Sequence, residues 1–512
     1  MENKRTCGIL MPVFSLPGRY GIGTFGREAY GFADFLKKAG QSYWQLLPFN
    51  PTNYGDSPYQ SFSSAAGNPY FIDLEQLEQD GLLERAEYET ADFGDDPGHV
   101  DYAKLYQNRL PVLRRAFARF DVAGADFVAF CTQQSDWLEE YALFMALKDA
   151  HGGAGWRTWE AALARREPQA LAEAATRYRD DVLYYKFLQY EFYTQWWALK
   201  AYANRNGVKI IGDMPIYVAD DSVDVWANAR QFDLDERLLP RVVAGCPPDA
   251  FSDDGQLWGM PVYDWEYMRT QAVPYSWWRR RMRRALEVYD VVRIDHFRGF
   301  ESFYCIPYGD ENARRGVWRK GPGMELFRAL QADFGAPLPI IAEDLGYRTP
   351  EVRQLLADSG FPGMKVLQFA FDPTAESEYL PHNHTRNSVV YTGTHDNDTI
   401  AGWMHHAEPV EVGYARRYLH VDDAEGFHWA MIRAALMSVA DTAILMMPDL
   451  MGLGSEARIN TPATLGGNWC WRIADGCIND WLAGIVRENV EMYGRLPEQP
   501  EPVTTENKTD TE

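Results

Sequence analysis

The stretch LPIIAED, Leu338–Asp344, is a short apolar run that ends at two acidic residues. Seven other apolar or β-branched runs recur along the chain, and segments with helical periodicity lie between several of them. Uninterrupted apolar strands are expected where helices cover both faces of a parallel sheet. The eight predicted strands are Gly8–Phe14, Tyr43–Phe49, Val208–Ile211, Val291–Ile294, Leu338–Ala342, Met364–Phe371, Ser388–Thr392 and Ala443–Met447.

Eight strand–helix units predict an α/β fold, a (β/α)8 TIM barrel, which takes about 250 residues. The rest of the 512-residue chain must then be insertions. The larger, at about 74–206, is predicted to be mostly helical, and the smaller, at about 219–270, is rich in Gly, Pro and Asp and is expected to be loop-like. We predict one barrel domain over residues 1–495 and a disordered Pro-, Glu- and Thr-rich tail over 496–512. A doubly wound sheet with a helical cap is the alternative.

Composition excludes several classes of partner. The 73 acidic and 50 basic residues give a net charge of −23, which repels nucleic acid and anionic lipid. No apolar run reaches the roughly 18 residues of a membrane span. The six cysteines form no CxxC pair and the N-terminus does not match a signal peptide, which indicates a reduced, cytoplasmic protein. The 14% of aromatic residues fits either a large core or sugar ligands that stack on rings.

Acidic residues follow five of the predicted strands. The carboxyl ends of barrel strands meet at one mouth, where catalytic groups cluster. Glycoside hydrolysis or transfer needs paired carboxyl groups there, one ionised at the anomeric carbon and one protonated beside the leaving oxygen. Such a cluster could also bind Mg²⁺, but the aromatic content and the absence of a phosphate-binding Gly-rich loop with Lys favour a sugar. The five acids are Asp213, Asp295, Glu343, Asp396 and Asp449, of which we assign Asp449 a structural role as a helix cap.

Two further patterns do not predict a cofactor. The hexapeptide Gly21–Gly26 matches the dinucleotide-binding GxGxxG, but a loop separates it from the preceding strand and no acid ends the next strand. Two histidine pairs lack a third ligand at a suitable spacing, so we predict no metal and no cofactor. The pairs are His382 with His384 and His405 with His406.

Seven blocks of sequence carry a resemblance to a known family. They are Gly55–Asp73, Ile211–Val218, Pro247–Trp265, VVRIDHFRGF (Val291–Phe300), IIAEDLG (Ile340–Gly346), YTGTHDNDT (Tyr391–Thr399) and Arg458–Arg472. These blocks resemble, in family order, those of the amylomaltases, the 4-α-glucanotransferases related to the α-amylase clan. The resemblance implies a retaining enzyme that moves an α-1,4-glucan segment from a maltodextrin donor to the 4-hydroxyl of a glucose or maltodextrin acceptor.

The resemblance also implies roles for single residues. Asp295 resembles the nucleophile, Glu343 the general acid/base, and Asp396 the third carboxylate, which holds and distorts the sugar. Arg293, on the same strand as Asp295, would keep the nucleophile ionised. Tyr59 would be a stacking platform. The implied substrate-binding residues are Tyr59, Asp213, Gln256, Trp258, Arg293, His395 and Asn468.

Some of these assignments have plainer alternatives. Gln256 and Trp258 lie on what resembles the family's flexible loop over the acceptor side, yet Trp258 alone would fit a buried core residue and Asn468 a turn. Cys246 and Ala463 stand where the family pattern has Val and Gly, and Ala463 could alter a loop that needs a positive φ.

The same triad would also serve a hydrolase of the same clan, because transfer and hydrolysis share the covalent intermediate. A third hypothesis is a non-catalytic maltodextrin-binding protein. Such a protein would need no ionised nucleophile, so the set Arg293, Asp295, Glu343, His395 and Asp396 argues against it. The sequence predicts no oligomeric state.

Overall fold

The computed structural model describes residues 5–53, 55–248, 252–346, 348–422 and 424–497. Eight of its strands, numbered here along the chain, are those of a barrel: β1 (Thr6–Leu10), β2 (Tyr43–Gln45), β3 (Lys209–Met214), β6 (Val291–Ile294), β9 (Ile340–Ala342), β10 (Gly363–Val366), β11 (Ser388–Tyr391) and β12 (Thr442–Met446). They are parallel and close in the order β1-β12-β11-β10-β9-β6-β3-β2. All eight predicted strands are confirmed, and the closed sheet excludes the doubly wound alternative.

Helices surround the barrel and fill the insertion between β2 and β3. The helices of that insertion are α2 (Leu74–Gln79), α3 (Tyr102–Lys104), α4 (Leu110–Arg119), α5 (Ala125–Gln133), α6 (Leu138–Ala150), α7 (Ala161–Ala164), α8 (Pro168–Arg177) and α9 (Arg179–Arg205). The others are α1 (Arg27–Lys38), α10 (Val223–Ala227), α11 (Trp265–Thr270), α12 (Ser276–Val288), α13 (Met324–Phe334), α14 (Pro350–Ser359), α15 (Ile400–His406), α16 (Pro409–Leu419), α17 (Phe427–Met437), α18 (Met447–Leu450) and α19 (Asp480–Met492). No helix in the described ranges is long and apolar enough to cross a bilayer.

A second, antiparallel sheet corrects the prediction of a loop at 219–270. Its order is β5 (Gln256–Pro261), β4 (Val242–Cys246), β7 (Ser302–Pro307) and β8 (Val317–Lys320). Two of these strands lie in the segment expected to be loop-like, and the other two follow β6. The central strands β4 and β7 pair with each other although barrel strand β6 lies between them in the chain. Local composition could therefore not reveal the pairing.

The strand register brings the acidic residues together at the carboxyl ends of the barrel strands, here called the barrel mouth. Asp213 on β3 pairs with Arg293 on β6, and Ile294 pairs with Ala342 on β9. Asp295 and Glu343 are the next residues on those two strands, and the Glu343 amide donates to the Ile294 carbonyl at 3.0 Å. The parallel pairing thus places three acids side by side.

Two arginines near the ends of the chain link backbone segments at the amino end of the barrel. Arg495, fully buried, donates to the main-chain carbonyls of Thr6 at 2.7 Å and Leu436 at 2.8 Å. Arg5 donates to the carbonyls of Leu436 and of Tyr493. These bonds join the start of β1 to the α17–β12 connection. The predicted tail lies, from residue 498 onward, outside the described residues.

Candidate active site

Arg293 organises two carboxylates at the barrel mouth. Its Nη1 lies 2.7 Å from Oδ2 of Asp213 and 3.1 Å from Oδ1 of Asp295. The side chain of Asp213 is fully buried, whereas that of Asp295 is 29% exposed. The buried Arg293 thus contacts both carboxylates, while burial still raises the pKa of Asp213, and Asp295 stays accessible to a ligand.

Glu343 lies in a different setting. Its Oε2 accepts a hydrogen bond from the His296 amide at 2.7 Å, and its Oε1 accepts one from the Leu345 amide at 2.8 Å. Burial, together with the negative charge of Asp295, raises the pKa of Glu343 to about 8 even though Arg293 and the two amides act in the opposite direction. Glu343 therefore carries a proton at neutral pH.

Asp396 lies on the loop after β11, and its side chain is 48% exposed. Asn460 Nδ2 donates to its Oδ1 at 2.6 Å, and Arg458 donates to its main-chain carbonyl at 2.8 Å. The neighbouring His395 is almost completely buried, with its Nε2 3.4 Å from the same carboxylate oxygen. Hydrogen bonds from Arg458 and Asn460, in the segment that follows α18, thus hold this loop in place.

Tyr59 contacts both Asp213, on β3, and His395, on the loop after β11. Its hydroxyl donates to Asp213 Oδ2 at 2.9 Å, and its ring is stacked on His395 with the centroids 5.1 Å apart. Burial beside Asp213 raises the pKa of Tyr59 well above its usual value, so the hydroxyl keeps its proton. Trp469 packs against both rings. These contacts form an aromatic wall next to the carboxylates.

Gln256 and Trp258 lie on β5, a strand and not the loop that the sequence indicated. The indole Nε1 of Trp258 donates to Gln256 Oε1 at 3.0 Å, and the indole ring packs edge-on against His296, with centroids 4.8 Å apart. Trp258 is half-buried and borders the barrel mouth through this contact. Both residues therefore belong to the antiparallel sheet that flanks the acidic residues of the barrel mouth.

Asn468 stabilises the loop that supports Asp396. Its Oδ1 accepts from the Thr461 amide at 2.9 Å, and its Nδ2 donates to Oγ1 of Thr464 at 3.0 Å. Ala463 in this loop has φ of +61°, the left-handed conformation that favours glycine. The loop keeps its positive-φ turn even though alanine stands where the family pattern has glycine.

Asp449 has the structural role that the sequence suggested. It is buried, and its carboxylate accepts from the Ile400 amide at 2.8 Å and the Thr392 hydroxyl at 2.7 Å. These bonds fix the start of α15 against β11. Among the described residues, no three His, Cys, Asp or Glu side chains are grouped as metal ligands.

His296 is a site residue that sequence reasoning missed. Its backbone is left-handed, with φ of +50°, and this turns its amide toward Glu343. Burial lowers the pKa of its imidazole to about 4, so the ring is neutral, and within the described residues its buried Nε2 has no partner. The one available signal was its position directly after the acid that ends β6. Asn460 was missed as well, because its contact with Asp396 comes from a distant loop.

A barrel mouth with an arginine-held carboxylate, a protonated carboxyl group and a third carboxylate defines a class, the enzymes that break or transfer glycosidic bonds. The family profile described as 4-alpha-glucanotransferase matches residues 11–478. A 4-alpha-glucanotransferase from Clostridium butyricum is 48% identical over 95% of this chain and 100% of its own length. One from Streptococcus pneumoniae is 48% identical over 97% of this chain and 98% of its own.

Solved structures agree with these sequence matches. An amylomaltase from Streptococcus agalactiae, solved in complex with acarbose, superposes with a TM-score of 0.93 at 42% identity, covering 96% of this chain and 100% of that one. The chain belongs to glycoside hydrolase family 77, the 4-α-glucanotransferases. It is therefore a glycosyl-transferring enzyme that acts on α-glucans by the retaining mechanism general to its family, and the resemblance seen in the sequence is confirmed.

Proposed function

We propose that this enzyme transfers α-1,4-glucan segments through a glucosyl ester on Asp295. A carboxylate oxygen of Asp295 attacks the anomeric carbon of the donor while the bond from that carbon to the glycosidic oxygen breaks. Glu343 donates its proton to the departing oxygen, which leaves as the 4-hydroxyl of the released glucan. Two displacements at one carbon, the second by an acceptor, give net retention.

The second half of the reaction reverses the proton transfer. Glu343, now a carboxylate, takes the proton of an acceptor 4-hydroxyl while that oxygen bonds to the anomeric carbon and the ester bond to Asp295 breaks. The pKa of about 8 for Glu343 supports this double role, because a general acid and base works best when its pKa is close to the working pH.

The third carboxylate and its neighbours hold the sugar in the reactive position. We propose that Asp396 and His395 bind hydroxyls of the reacting ring and help to distort it, since the two side chains lie on one loop beside the aromatic wall. Asp213, buried against Arg293 and Tyr59, is proposed to support the same ring through these two residues, and Arg293 holds Asp295 in place. Exposed oxygens on Asp396 suit contact with sugar hydroxyls.

The acceptor side is proposed to comprise the β5 residues and the loop that Asn468 holds. Trp258 and Gln256 flank the mouth beside His296, and Tyr59 supplies an aromatic surface for a sugar face. Asn468 would act through its loop, since its amide is already bonded there. The donor is a maltodextrin and the acceptor a glucose or maltodextrin. Nucleic acid and membrane are not expected as partners, given the net charge of −23.

The observation that carries the proposal is that the two acids lie in different environments. Asp295 is held by Arg293, whereas burial raises the pKa of Glu343 so that it keeps its proton. The test is maltotriose conversion, with released glucose and total reducing ends followed over time. We expect glucose and a ladder of longer maltodextrins while total reducing ends stay constant, because transfer consumes one reducing end for each that it makes. The matched control is Asp295→Asn, which should give neither product.

Two results would contradict the proposal. If total reducing ends rise one for one with bonds broken, water is the acceptor and the chain acts as a hydrolase. If maltodextrin binds while neither quantity changes, the chain is a binding protein.

A further inference from the structure

The antiparallel sheet has a small apolar cluster that is separate from the core of the barrel. Its four buried members are Val243 on β4, Tyr304 and Ile306 on β7, and Ala313 in the turn between β7 and β8. Ala313 is fully buried although the next residue, Arg314, is exposed. The Tyr304 hydroxyl donates to the Ala313 carbonyl at 3.0 Å. The cluster therefore anchors one residue of an otherwise open turn, residues 308–316, which we call the β7–β8 turn.

The β7–β8 turn contacts the two residues that precede β5. The Ala313 amide donates to the main-chain carbonyl of Asp254 at 2.9 Å, and Nε of Arg314 lies 2.8 Å from Oδ1 of Asp254. Gly255 has φ of +68°. A Cβ built on Gly255 would lie 2.8 Å from Cβ of Ala313 and 2.5 Å from the carbonyl oxygen of Cys246. These distances are too short for a side chain, so the close approach of the turn requires glycine at this position.

The same contacts fix the start of β5, which the sheet constrains only weakly. Among the described strands β5 lies at the edge of the sheet, next to β4, and the register of this pair shifts between Val243 and Gly245. A strand that is paired on one side with an irregular register depends on other contacts for the position of its ends. The far end of β5 is held by Met260, which belongs to the core of the barrel, whereas Gln256 at its start directly follows Gly255.

We infer that the β7–β8 turn determines acceptor preference by positioning β5 at the barrel mouth. In the proposed function, on which this inference rests, Gln256 and Trp258 on β5 form part of the acceptor side. Ala313 is then a positioning residue, because it acts on those two side chains through Gly255. An acceptor hydroxyl that is held in line competes with water for the glycosyl ester, and a displacement of about 1 Å can cost about 10²-fold in such an arrangement.

The test compares the two halves of the reaction in Ala313→Leu and Gly255→Ala, which add atoms to the same contact from opposite sides. With maltotriose as donor and labelled glucose as acceptor, the KM for glucose should rise by about tenfold, and a larger share of the broken bonds should be hydrolysed. Formation of the glycosyl ester from α-glucosyl fluoride in a single turnover should stay within about twofold of the wild type, because Asp295 is held by Arg293 on the barrel strand β6.

Hydrogen exchange provides a measurement that does not depend on activity. The amides of β5 should exchange faster in both variants, while those of the barrel strands exchange as in the wild type, because the small cluster is separate from the barrel core. This result would also show that the barrel of each variant is folded.

Two variants within the β7–β8 turn are matched controls. Gly309 also has a positive φ, of +91°, but a Cβ at this position would meet no atom of the described residues within 4 Å. Gly309→Ala therefore strains the backbone of the turn without crowding Gly255. Arg315 pairs with Asp310 inside the turn, so Arg315→Gln removes a charge there. Both controls should keep the wild-type KM for glucose.

Three results would overturn the inference. They are an unchanged KM for glucose in Ala313→Leu or Gly255→Ala, an equal loss in ester formation and in transfer, and a rise in KM as large in Gly309→Ala as in Gly255→Ala. Failure of the proposed function is distinguishable from these results, because it would appear in the wild-type enzyme: no labelled glucose would enter longer maltodextrins.

Discussion

Buried arginines lie at both ends of the barrel, and they contact different kinds of partner. At the mouth, Arg293 contacts the carboxylates of Asp213 and Asp295. At the amino end, Arg495 donates to the main-chain carbonyls of five residues and forms no ion pair within the described residues. Both side chains are almost completely inaccessible to solvent, so burial does not distinguish them. The difference lies in the charge of the partners.

Carbonyl oxygens are neutral, so Arg495 satisfies buried acceptors and fixes the course of the chain. Carboxylates are charged and repel each other, so Arg293 permits an acidic cluster that would otherwise destabilise the fold. One of those carboxylates, Asp295, is open to solvent. A buried arginine therefore indicates function where it holds a ligand-accessible acid, and stability where it holds the backbone. Substitutions at the two ends should separate a loss of turnover from a loss of stability.

The largest effect is expected for Asp295→Asn. The amide fits the same space but is not a nucleophile, so turnover of maltotriose should fall by about 10⁴-fold or more, while the melting temperature stays near that of the wild type. A fluorinated glucosyl donor that slows deglycosylation should label Asp295 in the native enzyme. A label on another residue, or turnover near the wild-type value, would rule out Asp295 as the nucleophile.

Glu343→Gln should cost about 10³-fold for donors with poor leaving groups, because these need a proton on the departing oxygen. Donors with activated leaving groups should lose far less in the glycosylation step, which single-turnover measurements isolate. Glu351→Gln is the control, since Glu351 is an exposed residue of α14. Equal losses for both donor types would remove Glu343 from the acid/base role.

The pKa of about 8 for Glu343 also predicts a pH dependence. Donor cleavage should fall as pH rises through about 8, where the acid loses its proton. The folded state holds this proton above the ordinary carboxyl value of 4.5, so stability should decline as pH rises from about 4.5 to 8. Glu343→Gln should show a smaller decline in unfolding free energy over that window; a decline as large as in the wild type would contradict the raised pKa.

Arg293→Lys tests the mouth arginine with its charge retained. Lysine cannot reproduce the planar contact with both carboxylates, so Asp295 should be less well placed and turnover should fall by about 10²-fold. The KM for maltotriose should change less than kcat, because Arg293 acts through Asp295. A variant with wild-type kcat would show that the shared arginine contact is not needed for the reaction.

The barrel and its acids were predictable because each depends on local sequence. Strands buried on both faces appear as uninterrupted apolar runs, and an acid directly after such a run lies at the mouth by topology alone. Thus Asp295 and Glu343 could be located from the order of residues along the chain. Their different protonation could be expected only in outline, because the pKa of Glu343 depends on burial and on the nearby charge of Asp295.

Features that depend on distant partners were not predictable. Strand β8 is exposed throughout and pairs with β7 only in the folded chain, so its residues carry no apolar pattern. His296 takes its place in the site from a left-handed backbone and from contact with Trp258 on another sheet. Arg495 directly precedes the low-complexity tail, and nothing in its neighbours signals its five carbonyl partners.

The smallest effect on turnover is expected for Arg495→Lys, the same substitution made at the opposite end of the barrel. Lysine has three donors on one nitrogen and cannot reach the carbonyls of Thr6 and Leu436 together with the others, so buried acceptors lose their partners. The free energy of unfolding should fall by about 2–4 kcal/mol, as measured by chemical denaturation, while kcat per folded molecule stays within about twofold of the wild type. Arg293→Lys is the matched variant, with the opposite balance: a large loss of turnover and a smaller loss of stability. If Arg495→Lys lowered kcat as much as Arg293→Lys does, the two ends of the barrel would be coupled, and the division between an arginine that positions Asp295 and one that stabilises the backbone would be wrong.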